Sequence, residues 1–200
     1  MSSDEHSGEG QVLLVRHAET EWSLSGRHTG RSDIPLTDRG RGAARQLRER
    51  LAGIEFARVL CSPSSRAHET CELSGQCELA EERTDLLEWD YGDYEGLTSA
   101  EIKAERADWN LWRDGCPGGE TPADVGARAD RVIAELHGIA GRVGVFSHGH
   151  MLRVLGARWI GLQTAHGANL GLATGALCLL AQEHDAPILG RWNDLGGEVL

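Results

Sequence analysis

The chain has 200 residues, of which 40% are hydrophobic and 26% are charged, as in ordinary soluble globular proteins. Its net charge of −11 argues against nucleic acid or an anionic membrane as a partner, because a field of that sign repels both. No apolar run approaches the roughly 20 residues that span a bilayer, and five scattered cysteines without a CxxC pair argue against a disulfide framework or a zinc knuckle.

The first ten residues, MSSDEHSGEG, are polar and acidic and lack the apolar core of a signal peptide. We expect residues 1–10 to form a disordered tail and residues 11–200 to form one domain. Reduced thiols are the simplest interpretation of the cysteine number and spacing, so the expected location is the cytoplasm.

The first half of the chain predicts two buried strands, each followed by a helix. In chain order they are the strand VLLV (12–15), a helix capped by Thr37 that runs to Leu51, the strand FARVLCS (56–62), and a helix that Pro63 or Ser64 opens and that ends near Leu73. Turn-rich, polar sequence lies between Ser23 and Leu36, and the acidic stretch from Leu86 to Gly96 has no clear periodicity.

The second half continues the alternation. The predicted elements are a helix over Ser99–Glu105, an aromatic stretch WNLW (109–112), a loop DGCPGGE (114–120), a helix from Thr121 to about Ile139, the strand VGVFS (143–147) and a helix over Met151–Trp159. The remainder of the chain, which includes LGLATGALCLLAQ (170–182), predicts a hairpin or edge strands at the end of the sheet. Short apolar strands that alternate with helices predict an α/β sandwich with a mainly parallel sheet.

Three predicted strands end in side chains that carry chemistry. The first runs into Arg16 and His17, the second leads to Arg66, and the third leads to His148 and Gly149. In a parallel sheet these carboxyl ends lie at one edge, where open α/β sheets bind their ligands. Arginine forks donate paired hydrogen bonds to tetrahedral oxyanions, and a helix that starts after Gly149 adds backbone N–H donors. The pattern predicts a phosphate pocket.

A histidine inside such a pocket is a candidate nucleophile. Guanidinium groups nearby disfavour imidazolium, so the pKa of His17 should fall and its lone pair should be free to attack phosphorus. The arginines would then stabilise the charge that spreads over the equatorial oxygens.

The leaving oxygen needs a proton, and Glu88 is the first candidate to supply it. Glu88 follows two leucines and adjoins Trp89, so burial would favour its protonated form. The pattern leaves three other carboxylates in the same stretch as alternatives: Asp90, Asp93 and Glu95.

Four segments, in this order, resemble the histidine phosphatase superfamily, also called the phosphoglycerate mutase-like family: LLVRHAETEW (13–22), SPSSRAHET (62–70), LLEWDYGDYEGLT (86–98) and FSHGHMLR (146–153). The match covers about residues 11–155, and the four segments together are far more specific than the Arg-His pair alone. The resemblance implies a three-layer α/β/α sandwich with a mainly parallel central sheet, the phosphoglycerate mutase-like fold. It also implies a small phosphorylated metabolite as substrate, and neither metal nor cofactor.

By position, the resemblance assigns His17 as the phosphorylated nucleophile and Glu88 as the proton donor and later the base for water. Arg16, Arg66 and His148 would form the phosphate pocket around them. The other expected contacts to substrate or phosphate are Ser23, then Arg27, Thr29 and Gly30 in GRHTGRSD (26–33), and finally Tyr91 and Gly149.

The chain departs from the family pattern at several positions. Ala18 replaces the glycine after the nucleophile, a small change that we expect to be tolerated, and Ser23 stands where mutases usually have asparagine. Trp89 replaces the arginine that mutases place after the acid, and the paired arginines of their mid-chain insertion have no counterpart here. These departures favour a phosphatase over a mutase.

A narrower resemblance joins EWDYGDYEGLT to WNLWRDGCPGGET (109–121). It points to the branch with fungal sedoheptulose bisphosphatase and actinobacterial mutase-like acid phosphatases, which makes a sugar phosphate the expected substrate and residues 89–121 a lid-like insertion. A phosphoglycerate mutase-type phosphotransferase and a non-catalytic phospho-ligand binding module are the alternative functions, and a homo-oligomer stays open.

Overall fold

The computed structural model describes residues 10–184 and 186–196, so the tail predicted over residues 1–10 lies outside the described residues except for Gly10. The strands are β1 (Val12–Arg16), β2 (Arg58–Cys61), β3 (Ala80–Glu82), β4 (Val143–Ser147), β5 (Leu177–Glu183) and β6 (Ala186–Asp194). The helices are α1 (Glu21–Ser25), α2 (Asp38–Arg50), α3 (Ser65–Leu73), α4 (Ser99–Glu105), α5 (Leu111–Asp114), α6 (Pro122–His137) and α7 (Gly149–Trp159). None of these helices is long and apolar enough to cross a membrane.

The six strands form one sheet in the order β3-β2-β4-β1-β5-β6. Strands β1 to β4 run parallel to one another, whereas β5 and β6 are antiparallel to their neighbours. The fold is therefore mixed α/β with a mostly parallel sheet, which confirms the predicted fold class.

Both faces of the sheet are covered because its central strands are apolar on both sides. Leu14 contributes to a core cluster on the face of α6 and α7, whereas Val15 contributes to the cluster on the face of α2 and α3. Successive side chains of a strand point to opposite faces, so one run of apolar residues supplies both clusters.

The carboxyl ends of three parallel strands meet at one edge. Arg16 of β1 lies opposite Ser147 of β4, and the next residue, His17, donates its backbone N–H to Ser147 O at 2.9 Å. On the other side of β4, Ser62 donates its N–H to Phe146 O at 2.9 Å. The chemistry-bearing ends that the sequence placed on separate strands thus converge.

Several boundaries differ from the sequence-based expectations. Helix α1 and the three-residue edge strand β3 were not predicted, because both are too short to show a periodicity. The predicted hairpin after residue 159 is present as β5 and β6 at one end of the sheet, with β6 as the edge strand, but residues 170–176 precede its first strand. Helix α7 begins at Gly149, two residues earlier than expected, because His148 already occupies the cap position.

Candidate active site

Strand β1 delivers His17 to this edge with a defined tautomer. Its Nδ1 lies 2.7 Å from the carbonyl oxygen of Ala18. Because a carbonyl oxygen only accepts hydrogen bonds, Nδ1 carries the hydrogen and Nε2 holds the free lone pair. The side chain is 5% exposed and lines a cavity of about 330 Å³.

The surroundings of His17 keep its imidazole neutral. Burial is the largest cause that lowers its pKa well below the ordinary value of 6.5, and the positive charges of Arg16 and Arg66 lower it further. The sequence-based expectation named only the guanidinium groups, so desolvation is the larger cause that it missed. A neutral imidazole has a nitrogen lone pair that is free to attack an electrophile.

Arg66 is fully buried on the first turn of α3 and is held by the loop that follows α1. Its Nη1 donates to Ser32 O at 3.0 Å, and its Nη2 donates to Thr29 O and Gly30 O at 3.0 and 3.1 Å. Three backbone acceptors therefore fix the guanidinium plane before any ligand binds.

Arg16 is the last residue of β1, and its side chain lies beside Gly149 at the start of α7. Its Nη1 donates to the carbonyl oxygen of Leu172. Gly149 allows the close approach, because a Cβ there would lie 3.0 Å from the guanidinium carbon of Arg16. A larger residue at this position would displace the arginine.

The ring of His148 packs at a tilt against the ring of His17, with 5.2 Å between the two ring centres. Its Nε2 lies 2.8 Å from Ser62 Oγ and 3.1 Å from Ser64 Oγ. Burial, followed by the charge of Arg66, lowers the pKa of His148 well below 6.5. Acceptance of a serine proton at Nε2 leaves the hydrogen of the neutral ring on Nδ1.

Three buried nitrogen atoms at this edge have no hydrogen-bond partner among the described residues: Arg16 Nε, Arg66 Nε and His148 Nδ1. Buried N–H groups without acceptors are rare and destabilising in folded proteins. These three N–H groups belong to residues beside His17, and together they can donate hydrogen bonds to a tetrahedral oxyanion.

Glu88 reaches the same cavity from the segment after β3, and it is 8% exposed. Its Oε1 accepts from the backbone N–H groups of Trp89 at 3.0 Å and Met151 at 2.8 Å, and its Oε2 accepts from that of His150 at 3.0 Å. The carboxyl group is therefore bound to the first turn of α7. We expected those N–H groups to serve a phosphate, and this part of the expectation is wrong for His150 and Met151.

Of the predicted catalytic residues, Arg16, His17 and Glu88 line the cavity, whereas Arg66 and His148 are fully buried and are not among its lining residues. Most of the other predicted contacts line it. Ser23, Arg27, Thr29, Tyr91 and Gly149 line it. The hydroxyl of Ser23 also closes the capping box of α1, since it accepts from Thr20 N at 2.9 Å.

Gly30 does not line the cavity. Its N–H donates to Glu95 at 2.9 Å, and its carbonyl accepts from Arg66. Gly30 therefore helps to hold Arg66 in position. Glu95, one of the alternative acids in the sequence analysis, binds this loop through its carboxylate.

Several residues that line the cavity were not predicted from the sequence. His28 lies between two residues that were named, and its Nδ1 is 2.7 Å from Leu97 O, so its Nε2 is the free acceptor. Arg153 belongs to the FSHGHMLR segment and could have been found there, whereas Lys103 and Asn110 carry no local signal. His150 also lines the cavity, and its Nδ1 lies 2.6 Å from Tyr91 Oη.

Residues 89–121, expected as a lid-like insertion, are joined at their two ends. Asp93 N–H donates to Pro117 O at 2.8 Å, and Glu120 N–H donates to Asp90 O at 2.9 Å. Gly92 has φ +49°, and a Cβ there would lie 2.2 Å from Pro117 O, so only glycine fits. Trp89, Tyr91 and Trp109 are all buried in the main core cluster, which anchors the segment.

Ala18 has space for its methyl group. The residue is fully buried and packs with Leu36 and Ala44 in a small apolar cluster. Its N–H donates to Thr70 Oγ1 at 3.0 Å. The methyl group at the position after His17 therefore lies among apolar neighbours, and Ala18 does not line the cavity.

The chain is similar to several known proteins. The family model for the histidine phosphatase superfamily (branch 1) matches residues 12–195. The chain is 41% identical over 179 residues to an acid phosphatase of Mycobacterium tuberculosis, with 87% of each chain covered. It is 38% identical to sedoheptulose 1,7-bisphosphatase of Saccharomyces cerevisiae, with 76% of this chain and 68% of that protein covered.

A third relative carries a different activity in its name. It is a 2,3-bisphosphoglycerate-dependent phosphoglycerate mutase of Mesorhizobium japonicum, 31% identical, with 90% of this chain and 96% of that protein covered. Among solved structures, the product of a Mycobacterium tuberculosis open reading frame superposes with a TM-score of 0.86 at 38% identity, with 92% of this chain and 97% of that chain covered.

Proposed function

The chain belongs to the histidine phosphatase superfamily (branch 1), and on this premise we propose that it is a phosphatase that hydrolyses a small phosphomonoester through a phosphohistidine on His17. The observation that carries the proposal is the set of three buried nitrogen atoms without acceptors beside a neutral imidazole. A phosphoryl group satisfies these donors and offers the electrophile that the imidazole attacks.

In the first step, the Nε2 lone pair of His17 forms a bond to phosphorus, and the bond from phosphorus to the ester oxygen breaks on the opposite side. The leaving oxygen takes a proton from Glu88. Arg16, Arg66 and His148 stabilise the charge on the three equatorial oxygens during the transfer.

In the second step, Glu88 accepts a proton from water as the water oxygen attacks phosphohistidine. The bond from phosphorus to Nε2 breaks, and inorganic phosphate and neutral His17 are restored. The three backbone donors to Glu88 keep its carboxyl group in one position for both proton transfers.

The expected substrate is a sugar phosphate or a related metabolite. A cavity of about 330 Å³ fits a molecule of that size. The wall contains His28, Asn110 and aromatic rings, which bind hydroxyl groups and sugar faces. Five free cysteines suit a reducing compartment, so we place the protein in the cytoplasm.

The first experiment compares His17→Ala with His166→Ala, an exposed histidine outside the cavity. With a small aryl phosphate as substrate, we expect His17→Ala to lose at least about a thousandfold in kcat and His166→Ala to keep full activity. A quenched reaction with ³²P-labelled ester should show an acid-labile, alkali-stable label in the parent protein. Full activity of His17→Ala would exclude the mechanism.

A mutase-type phosphotransferase is the second candidate, because the Mesorhizobium japonicum relative has that name. The residue after Glu88 argues against it: Trp89 is fully buried, donates its Nε1–H to Glu120 O at 3.0 Å, and does not line the cavity. Product analysis with phosphoglycerate separates the two functions, since exchange of isomers without net release of phosphate identifies a mutase.

A further inference from the structure

The guanidinium of Arg16 is held by the loop of residues 170–176, which leads into β5. Its Nη1 donates to Leu172 O, and this is its one hydrogen bond within residues 10–184 and 186–196. The guanidinium of Arg66, in contrast, has three backbone acceptors. The orientation of Arg16 at the phosphate pocket therefore depends on where the carbonyl group of Leu172 points.

Two neighbouring residues of β6 hold this loop on both sides of Leu172. The Nε1–H of Trp192 donates to Gly171 O at 2.7 Å. The Oδ1 of Asn193 accepts the N–H of Ala173, also at 2.7 Å. Because these bonds fall on the residues directly before and after Leu172, they limit the movement of the loop at the point that contacts the guanidinium.

Asn193 and Arg16 bind the two polar groups of one peptide unit. The C=O of Leu172 and the N–H of Ala173 belong to the same planar peptide group, so a hydrogen bond that fixes one also fixes the direction of the other. Hydrogen bonds joined in such a chain polarise one another. The carboxamide of Asn193 is therefore linked to the guanidinium of Arg16 through a single rigid group.

A β-bulge brings Trp192 and Asn193 to the same loop. Residues 177–179 of β5 lie opposite residues 191–194 of β6, so β6 has an extra residue at this point. Asn193 has φ +56°, in the left-handed region, which asparagine adopts more readily than most residues. Successive side chains of a regular strand point to opposite faces, whereas a bulge redirects a side chain, and here both side chains reach the loop.

Helix α7 packs closely against both ends of this chain of contacts. Gly149 and Gly156 are seven residues apart on α7, about two turns, so they lie on one face of the helix. A Cβ at Gly149 would lie 3.0 Å from the guanidinium carbon of Arg16. A Cβ at Gly156 would lie 2.6 Å from the ring of Trp192. The same face of α7 therefore limits the movement of the arginine and of the tryptophan that helps to hold its acceptor.

We propose that Trp192 and Asn193 are positioning residues, which orient Arg16 toward the phosphoryl group by holding the peptide unit between Leu172 and Ala173. The inference rests on the proposed function in one respect, that Arg16 binds the phosphoryl group. Neither Trp192 nor Asn193 lines the cavity, so we expect their effect on turnover to pass through Arg16.

Two variants remove the hydrogen bonds with little other change. Asn193→Gly removes the carboxamide but keeps the left-handed backbone, which glycine adopts freely. Trp192→Phe removes the indole N–H but keeps an aromatic ring beside Gly156. The matched control is Trp159→Phe, because Trp159 also donates its Nε1–H to a backbone carbonyl, that of Ala181 at 3.2 Å, outside both the 170–176 loop and the cavity.

The measurements are kcat/KM with 4-nitrophenyl phosphate and the affinity for inorganic phosphate by titration calorimetry, both well below the unfolding midpoint. We expect Asn193→Gly and Trp192→Phe to lower each quantity about tenfold, because a displaced guanidinium forms poorer charge-assisted hydrogen bonds. Asn193→Asp retains an acceptor oxygen for Ala173 N–H and should recover most of the loss. Trp159→Phe should leave both quantities unchanged.

A double-mutant cycle with Arg16→Met separates positioning from a general loss of structure. If Asn193 acts through Arg16, Asn193→Gly should have no further effect on kcat/KM or on phosphate affinity once Arg16 is replaced by methionine. A loss by the same factor in both backgrounds would overturn the positioning role, and so would unchanged values in a folded Asn193→Gly.

The two proposals fail in different ways. Turnover that depends on His17 but not on Asn193 would leave the phosphatase intact and refute the positioning role. Phosphate binding that weakens in Asn193→Gly only while Arg16 is present, in a parent protein without turnover, would support the positioning role and refute the proposed phosphatase.

Discussion

Arg128 on α6 should position Glu88 although it does not line the cavity. Its Nη1 donates to Asp85 O and Leu87 O at 2.7 and 2.8 Å, and its Nη2 donates to Glu88 O at 3.3 Å. It also forms a two-pronged ion pair with Glu120 at 2.7 and 2.8 Å. One side chain therefore holds three carbonyls of the segment that carries the proposed acid.

The size of the effect follows from burial. The Arg128 and Glu120 side chains are 12% and 20% exposed, so Arg128→Met removes a largely desolvated pair and leaves a carboxylate without its cation. We expect the free energy of unfolding to fall by about 3–5 kcal/mol. Arg131, one turn later, binds Asp85 with exposures of 58% and 33%, so Arg131→Met should cost about 0–1 kcal/mol.

Urea unfolding followed by tryptophan fluorescence measures both losses. Turnover of a phosphomonoester, measured well below the unfolding midpoint, reports on Glu88, and we expect kcat of Arg128→Met to fall tenfold or more because a displaced acid transfers protons poorly. Equal unfolding losses in the two variants would refute the burial argument. A large loss of stability with unchanged kcat would refute the link to Glu88.

Two further predictions concern stability. Burial lowers the pKa of His17, His148 and His150 well below 6.5, so the unfolded chain takes up protons below that pH while the folded one does not. The free energy of unfolding should therefore fall between pH 7 and 5.5 by about 1 kcal/mol per histidine, and urea midpoints that stay constant over this range would contradict it. Gly92→Ala places a Cβ 2.2 Å from a backbone oxygen at positive φ and should cost about 2 kcal/mol or more, whereas Gly42→Ala on α2, with nothing within 4 Å, should stabilise by up to about 1 kcal/mol in the same assay.

The parts of the site that the sequence predicts are those that follow directly from a strand. His17 comes directly after β1, and His148 directly after β4, so the apolar run before each residue predicts its place at the sheet edge. Arg66 follows β2 at the first turn of α3, where a loop leads from the strand into the helix. Local sequence was sufficient here because strand direction alone decides where these residues lie.

The rest depends on contacts between distant segments. Two of the three backbone donors to Glu88 come from residues 62 and 63 positions later, and no local pattern around Glu88 predicts them. Lys103 reads as an ordinary lysine on an exposed helix until the fold brings α4 to the cavity. The hairpin predicted after residue 159 is present as β5 and β6, but its first strand begins only at Leu177, because the apolar residues of 170–176 form a loop, which composition does not reveal.

The attachment of Glu88 to α7 affects how its replacement is interpreted. Alanine at this position would remove the acid, but it would also leave the backbone N–H groups of His150 and Met151 without acceptors at the positive end of a helix. These N–H groups can then bind inorganic phosphate, so we expect the inhibition constant of this product to fall together with kcat. Glu88→Gln retains one acceptor oxygen for these N–H groups. Comparison of product inhibition in Glu88→Ala and Glu88→Gln would therefore separate the loss of proton transfer from the gain of a phosphate-binding site.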